Sequence, residues 1–215
     1  MVKEGYRDVG YTFVNVDDCW QEEKRDPVTG ELVPDKKRFP DGIDGLARYV
    51  HARGLKLGLY TDIGSKTCGG FAGSGGNYEL DAKTFARWGV DSIKVDGCYA
   101  NSSDYPSLYP AFGAALASSG RPMVYYCSWP AYIIGSANFS QIARYCNGWR
   151  AFDDIQDSSS SLFSIIEFWR VSGDAMAAAS GPGAWSDADM LIGGNFGLSF
   201  SQARIAAYSL QKQIF

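Results

Sequence analysis

The sequence predicts an α/β fold of the (β/α)8 barrel class, present here in part, and three observations carry that prediction. Short runs of β-branched and aromatic residues alternate with helical stretches along the whole chain, with no low-complexity linker between them. Strand after strand runs into acid: Val14-Asn15-Val16-Asp17-Asp18-Cys19-Trp20, Lys56-Leu57-Gly58-Leu59-Tyr60-Thr61-Asp62, Lys94-Val95-Asp96-Gly97-Cys98, Trp149-Arg150-Ala151-Phe152-Asp153-Asp154 and Trp185-Ser186-Asp187-Ala188-Asp189. No Gly-x-Gly-x-x-Gly follows a strand, so the phosphate-binding turn of a doubly wound nucleotide fold is absent. An unpaired carboxylate is costly in a core. At the C-terminal mouth of a barrel the same group faces substrate.

The elements follow in order. Residues 11–16 read as a strand. After a Pro/Gly/Asp-rich loop over 26–42, Ile43, Leu46, Ala47 and Val50 keep helical spacing until Gly54 stops the helix. Residues 55–61 form the next strand, and a glycine-rich loop over 68–76 leads into a helix over 78–88 ended by Gly89. Then come a strand over 91–96, a helix over 105–118, and a strand over 122–127 opened by Pro122. A short helix over 139–145, a strand over 147–152, a helix over 159–171, a strand over 183–187 and a helix over 199–213 complete the pattern. Met1-Val2-Lys3-Glu4-Gly5 reads as the end of a helix and not as a signal peptide. Six strand–helix repeats fall short of a closed barrel, so the chain reads as a fragment of one.

At 215 residues and 46% hydrophobic content, the chain can bury one sizeable core. A net charge of −4 without a basic run argues against nucleic acid as a partner. No apolar stretch approaches the roughly 20 residues of a membrane span, so no membrane partner is expected. Most of the six Trp and thirteen Tyr are expected in the core, and those beside acids are candidate platforms for a sugar face. The five cysteines show no Cys-x-x-Cys spacing. The lone His51, read as a surface residue of an amphipathic helix, cannot complete a Cys/His zinc site. The sequons Asn101-Ser102-Ser103 and Asn138-Phe139-Ser140 tilt the cysteines toward disulfides in a secretory compartment. The odd count leaves one cysteine whose partner is missing.

With a single histidine, Ser/His/Asp and Cys/His schemes fall away, leaving acid–base and nucleophilic work by carboxylates, the scheme of glycoside hydrolysis. Lys94 stands two residues from Asp96 on one strand face, so its ammonium favours an ionised nucleophile; a structural ion pair is the alternative. Asp153 and Asp154 point to opposite faces of an extended chain. One of them faces the site and, buried among like charges, serves as proton donor; the spacing leaves open which, and a solvated turn is the alternative. Arg150 contacts substrate or holds a carboxylate. Asp17 and Asp18 suit paired sugar hydroxyls, as do Asp187 and Asp189, with a helix cap as the other reading of Asp187. A Mg2+-dependent barrel enzyme that abstracts a proton is the competing chemistry; the aromatic residues Trp20 and Tyr99 beside the acids favour a sugar ring.

Asp17-Asp18-Cys19-Trp20, Arg38-Phe39-Pro40-Asp41-Gly42, Leu55-Lys56-Leu57-Gly58-Leu59-Tyr60, Lys94-Val95-Asp96-Gly97-Cys98, Cys127-Ser128-Trp129-Pro130 and Trp185-Ser186-Asp187-Ala188-Asp189-Met190 together resemble glycoside hydrolase family 27, the α-galactosidases and α-N-acetylgalactosaminidases. The resemblance runs in order along essentially the whole chain. It implies a retaining exo-glycosidase acting on glycans that end in α-linked N-acetylgalactosamine or α-galactose, without cofactor or metal, in a homodimeric lysosomal or secreted parent. It equates the chain with about strands 2 to 7 of the barrel, lacking the first and last strands and the C-terminal β domain. The 215-residue piece is therefore not expected to be active or stable alone.

The same resemblance places the nucleophile at Asp96 and the acid/base at Asp154. It places sugar contacts at Asp17, Asp18, Tyr60, Lys94, Cys98, Ser128, Ala131, Tyr132, Arg150 and Asp189. It pairs Cys68 with Cys98 and Cys127 with Cys146, and sends Cys19 to a cysteine upstream. Where the α-galactosidases crowd the sugar 2-position with Glu and Leu, this chain has Ser128 and Ala131, leaving room for an N-acetyl group. Ala151 stands where the family usually has Asn, Ser159 and Ser160 follow Asp157-Ser158 where a Trp is common, and Ser186 replaces an Asn. None of these departures removes a candidate carboxylate. A plain α-galactosidase and a non-catalytic sugar-binding homologue are the alternatives.

Overall fold

A computed structural model describes residues 1–190, which fall into two compact units divided after Cys127. The first unit holds four parallel strands in chain order: β1 (Phe13–Asn15), β2 (Lys56–Asp62), β3 (Ser92–Asp96) and β4 (Val124–Cys127). Helices α1 (Gly42–His51), α2 (Tyr78–Trp88) and α3 (Tyr105–Ala117) make the crossovers. The second unit holds α4 (Phe139–Ile142), β5 (Gly148–Arg150), α5 (Ser159–Ala179) and β6 (Trp185–Asp187), with β5 and β6 parallel. Parallel strands in chain order, joined by helices, are the partial (β/α)8 class that the sequence predicts. The helix expected over 199–213 lies outside the described residues. No helix among the described residues is long and apolar enough to cross a membrane.

Burial explains the elements. Every residue of β2 after Lys56 is buried, as befits a parallel strand covered on both faces. Helix α1 buries Ile43, Ala47 and Val50, the spacing of one helical stripe. Helix α2 stops at Gly89, whose φ of 81° closes the last turn in the left-handed region. Strand register then sets the layers that carry the site. Asn15, Gly58 and Ser92 lie side by side, Tyr60 and Lys94 form the next row, and Asp62 and Asp96 the top row. A Cβ at Gly58 would overlap Asn15 Oδ1 and come within 2.5 Å of Ser92 Oγ, so the lowest row closes only over bare backbone.

Two expectations are corrected. The first residues are turns followed by a 3-10 turn at Arg7–Val9, not the end of a helix, because Gly5 (φ 74°) and Gly10 (φ 101°) both bend the chain out of helical geometry. Helix α5 continues beyond 171 to Ala179. The run Ala175-Met176-Ala177-Ala178-Ala179 has helix propensity enough to override Gly173, and Ser158 caps the other end by accepting from the Ser161 N–H.

The long loop after β1 is pinned by one cation. Arg25 reaches both carboxylate oxygens of the fully buried Asp81 at 2.7 Å, together with the carbonyls of Gly30 at 2.9 Å and Gly73 at 2.6 Å. Replacing Arg25 with Met leaves that buried charge unpaired and is expected to cost about 3–5 kcal/mol. Arg87→Met, at the more exposed pair with Glu31, is expected to cost less than about 1 kcal/mol. Urea unfolding of both variants in the full-length protein checks the contrast.

Candidate active site

In the first unit the acidic strand ends meet directly. Tyr60 Oη donates to Asp96 Oδ2 at 2.7 Å. Burial, and then the charge of Asp96, pushes the phenol far above its ordinary range, so Tyr60 stays a donor. Asp62 is fully buried and accepts the Gly64 N–H on Oδ1 at 2.6 Å and the Cys98 N–H on Oδ2 at 2.8 Å. Burial is the largest influence on this carboxyl. The charges of Asp96 and Asp18 add to it, the two backbone bonds oppose it, and the result is a carboxyl pushed up to about 8. The Cys68–Cys98 disulfide lies against both acids, with Cys68 Sγ 3.5 Å from Asp96 Oδ2 and 3.8 Å from Asp62 Oδ2. Asp62, Cys68 and Cys98 cluster closely enough to suggest metal donors, but their sulfurs are joined to each other and offer no thiolate.

Lys94 reaches across to the loop that follows β1. Its Nζ is 2.7 Å from Asp17 Oδ2 and 5.3 Å from the centre of the Tyr60 ring. Asp18 accepts the N–H groups of Cys19 at 2.6 Å and Gly69 at 2.7 Å, which ties the end of β1 to the disulfide loop. Cys19 (φ 68°) and Tyr99 (φ 52°) are left-handed residues immediately after candidate site residues, a placement typical of strained functional turns. The reading of Trp20 as a sugar platform is corrected: Trp20 is 1% exposed, packs edge-on against Trp88 and donates to the Tyr60 carbonyl at 2.8 Å. Tyr78 and Tyr105 hold the carbonyls of Ile63 and Gly97 in the same way, both at 2.7 Å. His51 is a surface residue engaged with Asp91 at 2.7 Å.

In the second unit the organising group is Arg150, buried at the end of β5. Its Nη2 lies 2.9 Å from Asp154 Oδ1, 3.0 Å from Asp189 Oδ2 and 3.3 Å from the Phe152 carbonyl. Burial works against the guanidinium charge. Asp189, then Asp154 and Asp187, more than offset it and hold the group above its ordinary value. Asp189 is left-handed (φ 86°) and also accepts the Ile155 N–H at 2.7 Å. Asp187 accepts the Asp189 N–H at 3.0 Å, so it caps a turn and not a helix. The expectation of a buried proton donor in the Asp153/Asp154 pair is corrected. Both are exposed, because the loop after β5 carries them outward, and the buried acid of this unit is Asp189. Arg150 nonetheless distinguishes them, since Asp153 makes no side-chain hydrogen bond or ion pair among the described residues.

Ser128, Ala131 and Tyr132 belong to a 3-10 turn, Trp129–Tyr132 with Ser128 at its start, that packs against β5. Ser128 Oγ is buried and has no hydrogen-bond partner among the described residues. Ala131 is half-buried and Tyr132 exposed. Cys127 and Cys146 are disulfide-bonded, and Cys19 is a free thiol. In the sequence Asp62 is one more acidic strand end. Its partnership with Asp96 rests on the strand register, which spacing alone does not reveal.

Strand-end carboxylates on a parallel α/β scaffold define the class, and the chain belongs to the family described as Alpha galactosidase A, whose model matches residues 1–211. It is 50% identical over 208 residues to the α-N-acetylgalactosaminidase of Gallus gallus, covering 95% of this chain and 51% of that protein. It is 48% identical over 205 residues to human α-galactosidase A, covering 94% of this chain and 48% of the relative. Among solved structures, α-galactosidase I from Mortierella vinacea superposes with a TM-score of 0.83 at 31% identity, over 95% of this chain and 56% of that one. The chain thus spans about half the length of the curated relatives it matches.

The geometry of Arg150 separates its two acids. Arg150→Gln leaves Asp189, 5% exposed, without its cation and is expected to destabilise the full-length protein by about 3–5 kcal/mol. Asp154→Asn removes an exposed partner and is expected to cost less than about 1 kcal/mol. Urea midpoints of the two variants at one pH decide it.

Proposed function

We propose that the protein carrying this chain is a retaining exo-glycosidase that removes terminal α-linked N-acetylgalactosamine, and more slowly α-galactose, from glycans. The family supports hydrolysis of α-linked galactose-type sugars. The observation that carries the N-acetyl preference is Ser128, a residue 3% exposed whose Oγ has no hydrogen-bond partner among the described residues. A buried hydroxyl left unpaired costs about 1–3 kcal/mol, which an amide carbonyl placed against it would recover. Ala131, in the same turn, leaves space for the acetyl methyl. The disulfides and the two sequons support a secretory, lysosomal or extracellular setting.

In the proposed reaction Asp96 attacks the anomeric carbon. The new carbon–oxygen bond forms as the glycosidic bond breaks, and the departing oxygen takes the proton of Asp154. Water then attacks the same carbon and gives its proton to Asp154. The ester bond to Asp96 breaks, and two inversions return the α configuration. Tyr60 orients the Asp96 carboxylate, and Lys94 with Asp17 offers a donor and acceptor for sugar hydroxyls.

The test compares kcat/KM on an aryl α-N-acetylgalactosaminide and an aryl α-galactoside in the full-length protein. The expected outcome is a preference of about tenfold or more for the N-acetyl substrate, inverted by the double substitution Ser128→Glu, Ala131→Leu. Asp96→Asn is expected to lower kcat by about three orders of magnitude or more on either substrate. A wild-type preference for the plain galactoside removes the N-acetyl reading, and undiminished turnover by Asp96→Asn removes the mechanism.

A further inference from the structure

We infer that Asp62 is a positioning residue for Asp96: a buried carboxyl that carries a proton while Asp96 is charged and that fixes the end of β3 through the Cys98 N–H. The inference rests on the reading of Asp96 as nucleophile. Asp62 and Asp96 are register partners on neighbouring parallel strands, so their side chains leave the sheet on the same face. They also share a neighbour, Cys68 Sγ, within 3.8 Å of one and 3.5 Å of the other. Two carboxyls so placed resist double ionisation, and the proton goes to the one that water reaches least. Asp62 is fully buried, whereas Asp96 is half-buried and takes the Tyr60 hydroxyl as donor.

The groups facing Asp62 agree with a single shared charge. Asp96 stands beside it on β3, Asp18 approaches from the end of β1, Tyr60 lies below it on β2, and Tyr78 and Tyr105 face it from α2 and α3. Both of those tyrosines are held up to about 12, first by burial and then by the carboxyl charge, so they add no negative charge. Lys94, one step down β3 on the same face, bonds Asp17. The mechanical link is equally direct. Gly64, bonded to Asp62 Oδ1, runs against the Cys98–Tyr99 backbone so closely that a Cβ there would overlap the Cys98 carbonyl. Any displacement of Asp62 therefore moves the turn that follows Asp96.

The linkage has a definite sign. Asp62 starts from an ordinary value of 3.8 and stands at about 8 in the fold, so the folded state binds this proton more tightly. Its contribution to stability is complete below about pH 4 and is lost as pH rises toward 8.

Difference infrared spectroscopy of the full-length protein, titrated from about pH 5 to 9, reads the proton through its carboxyl C=O band. The wild type is expected to show a protonated carboxyl that titrates near pH 8. Asp62→Asn is expected to abolish the band, and Asp96→Asn to shift its midpoint to lower pH by removing the like charge. In turnover, Asp62→Asn is expected to keep KM and lower kcat about tenfold, while Asp62→Ala, which strips both N–H groups of their acceptor, lowers it about a hundredfold. Absence of a band that Asp62→Asn removes, or a midpoint that Asp96→Asn leaves unmoved, overturns the inference. If Asp62→Asn does not fold, the Asp96→Asn midpoint decides alone. Full turnover by Asp96→Asn would instead overturn the nucleophile assignment, leaving the Asp62 titration to be judged on its own band.

Discussion

The end of β2 is held to the end of β3 by a carboxyl that water does not reach, and the first unit's site is arranged around that tie. A buried N–H without an acceptor costs about 1–3 kcal/mol. Asp62 satisfies two of them, one in its own turn and one at Cys98, on the far side of a disulfide that closes the same gap. The glycine-rich loop that looks in sequence like a flexible connector has a packing reason. A Cβ at Gly73 would overlap the Gly64 carbonyl oxygen, and one at Gly75 would come within 2.7 Å of the Gly64 carbonyl carbon. The loop is a seam where three stretches of backbone touch. The aromatic residues serve the same end. Trp20, Tyr78 and Tyr105 spend their polar atoms on carbonyls at the strand ends, so the acids sit on a frame whose own hydrogen bonds are made.

The elements that are legible in the sequence are those with strong local punctuation. Helix α2 runs over the predicted 78–88 because an apolar stripe ends at a glycine able to take positive φ. Helix α5 outruns its prediction because a run of alanines outweighs one glycine, a summed propensity that single-residue punctuation does not weigh. The acidic strand ends are legible as well, since period-two spacing assigns each residue a face. What the spacing does not contain is which partner each acid takes. Lys94 reads as the companion of Asp96 from its place on β3, and spacing does not tell that its ammonium also reaches Asp17 in the loop after β1, a contact made by parallel register and side-chain length. Trp20 reads as exposed beside acids because no local pattern tells that β2 and α2 close over it.

Asp96 and Asp154 have different neighbours, and the difference fits the work proposed for each. In the first unit, Asp96 receives a neutral phenol and sits beside a carboxyl that shares the burden of charge by holding a proton. A phenol O–H orients a carboxylate without neutralising it, which suits the bond-forming role proposed for Asp96. In the second unit, the neighbour of Asp154 is the cation Arg150, which also pairs with Asp189, a buried acid held by a backbone N–H and by a strained backbone at its own position. Asp154 is the exposed partner of the same guanidinium. A group that gains and loses a proton in each cycle would strand a cation that depended on it alone, since an unpaired buried charge is costly. With the Asp189 carboxylate 3.0 Å away, Arg150 has a second partner besides Asp154. Asp189 is therefore the part of this arrangement that would let Asp154, in the acid/base role proposed for it, sit next to a buried arginine.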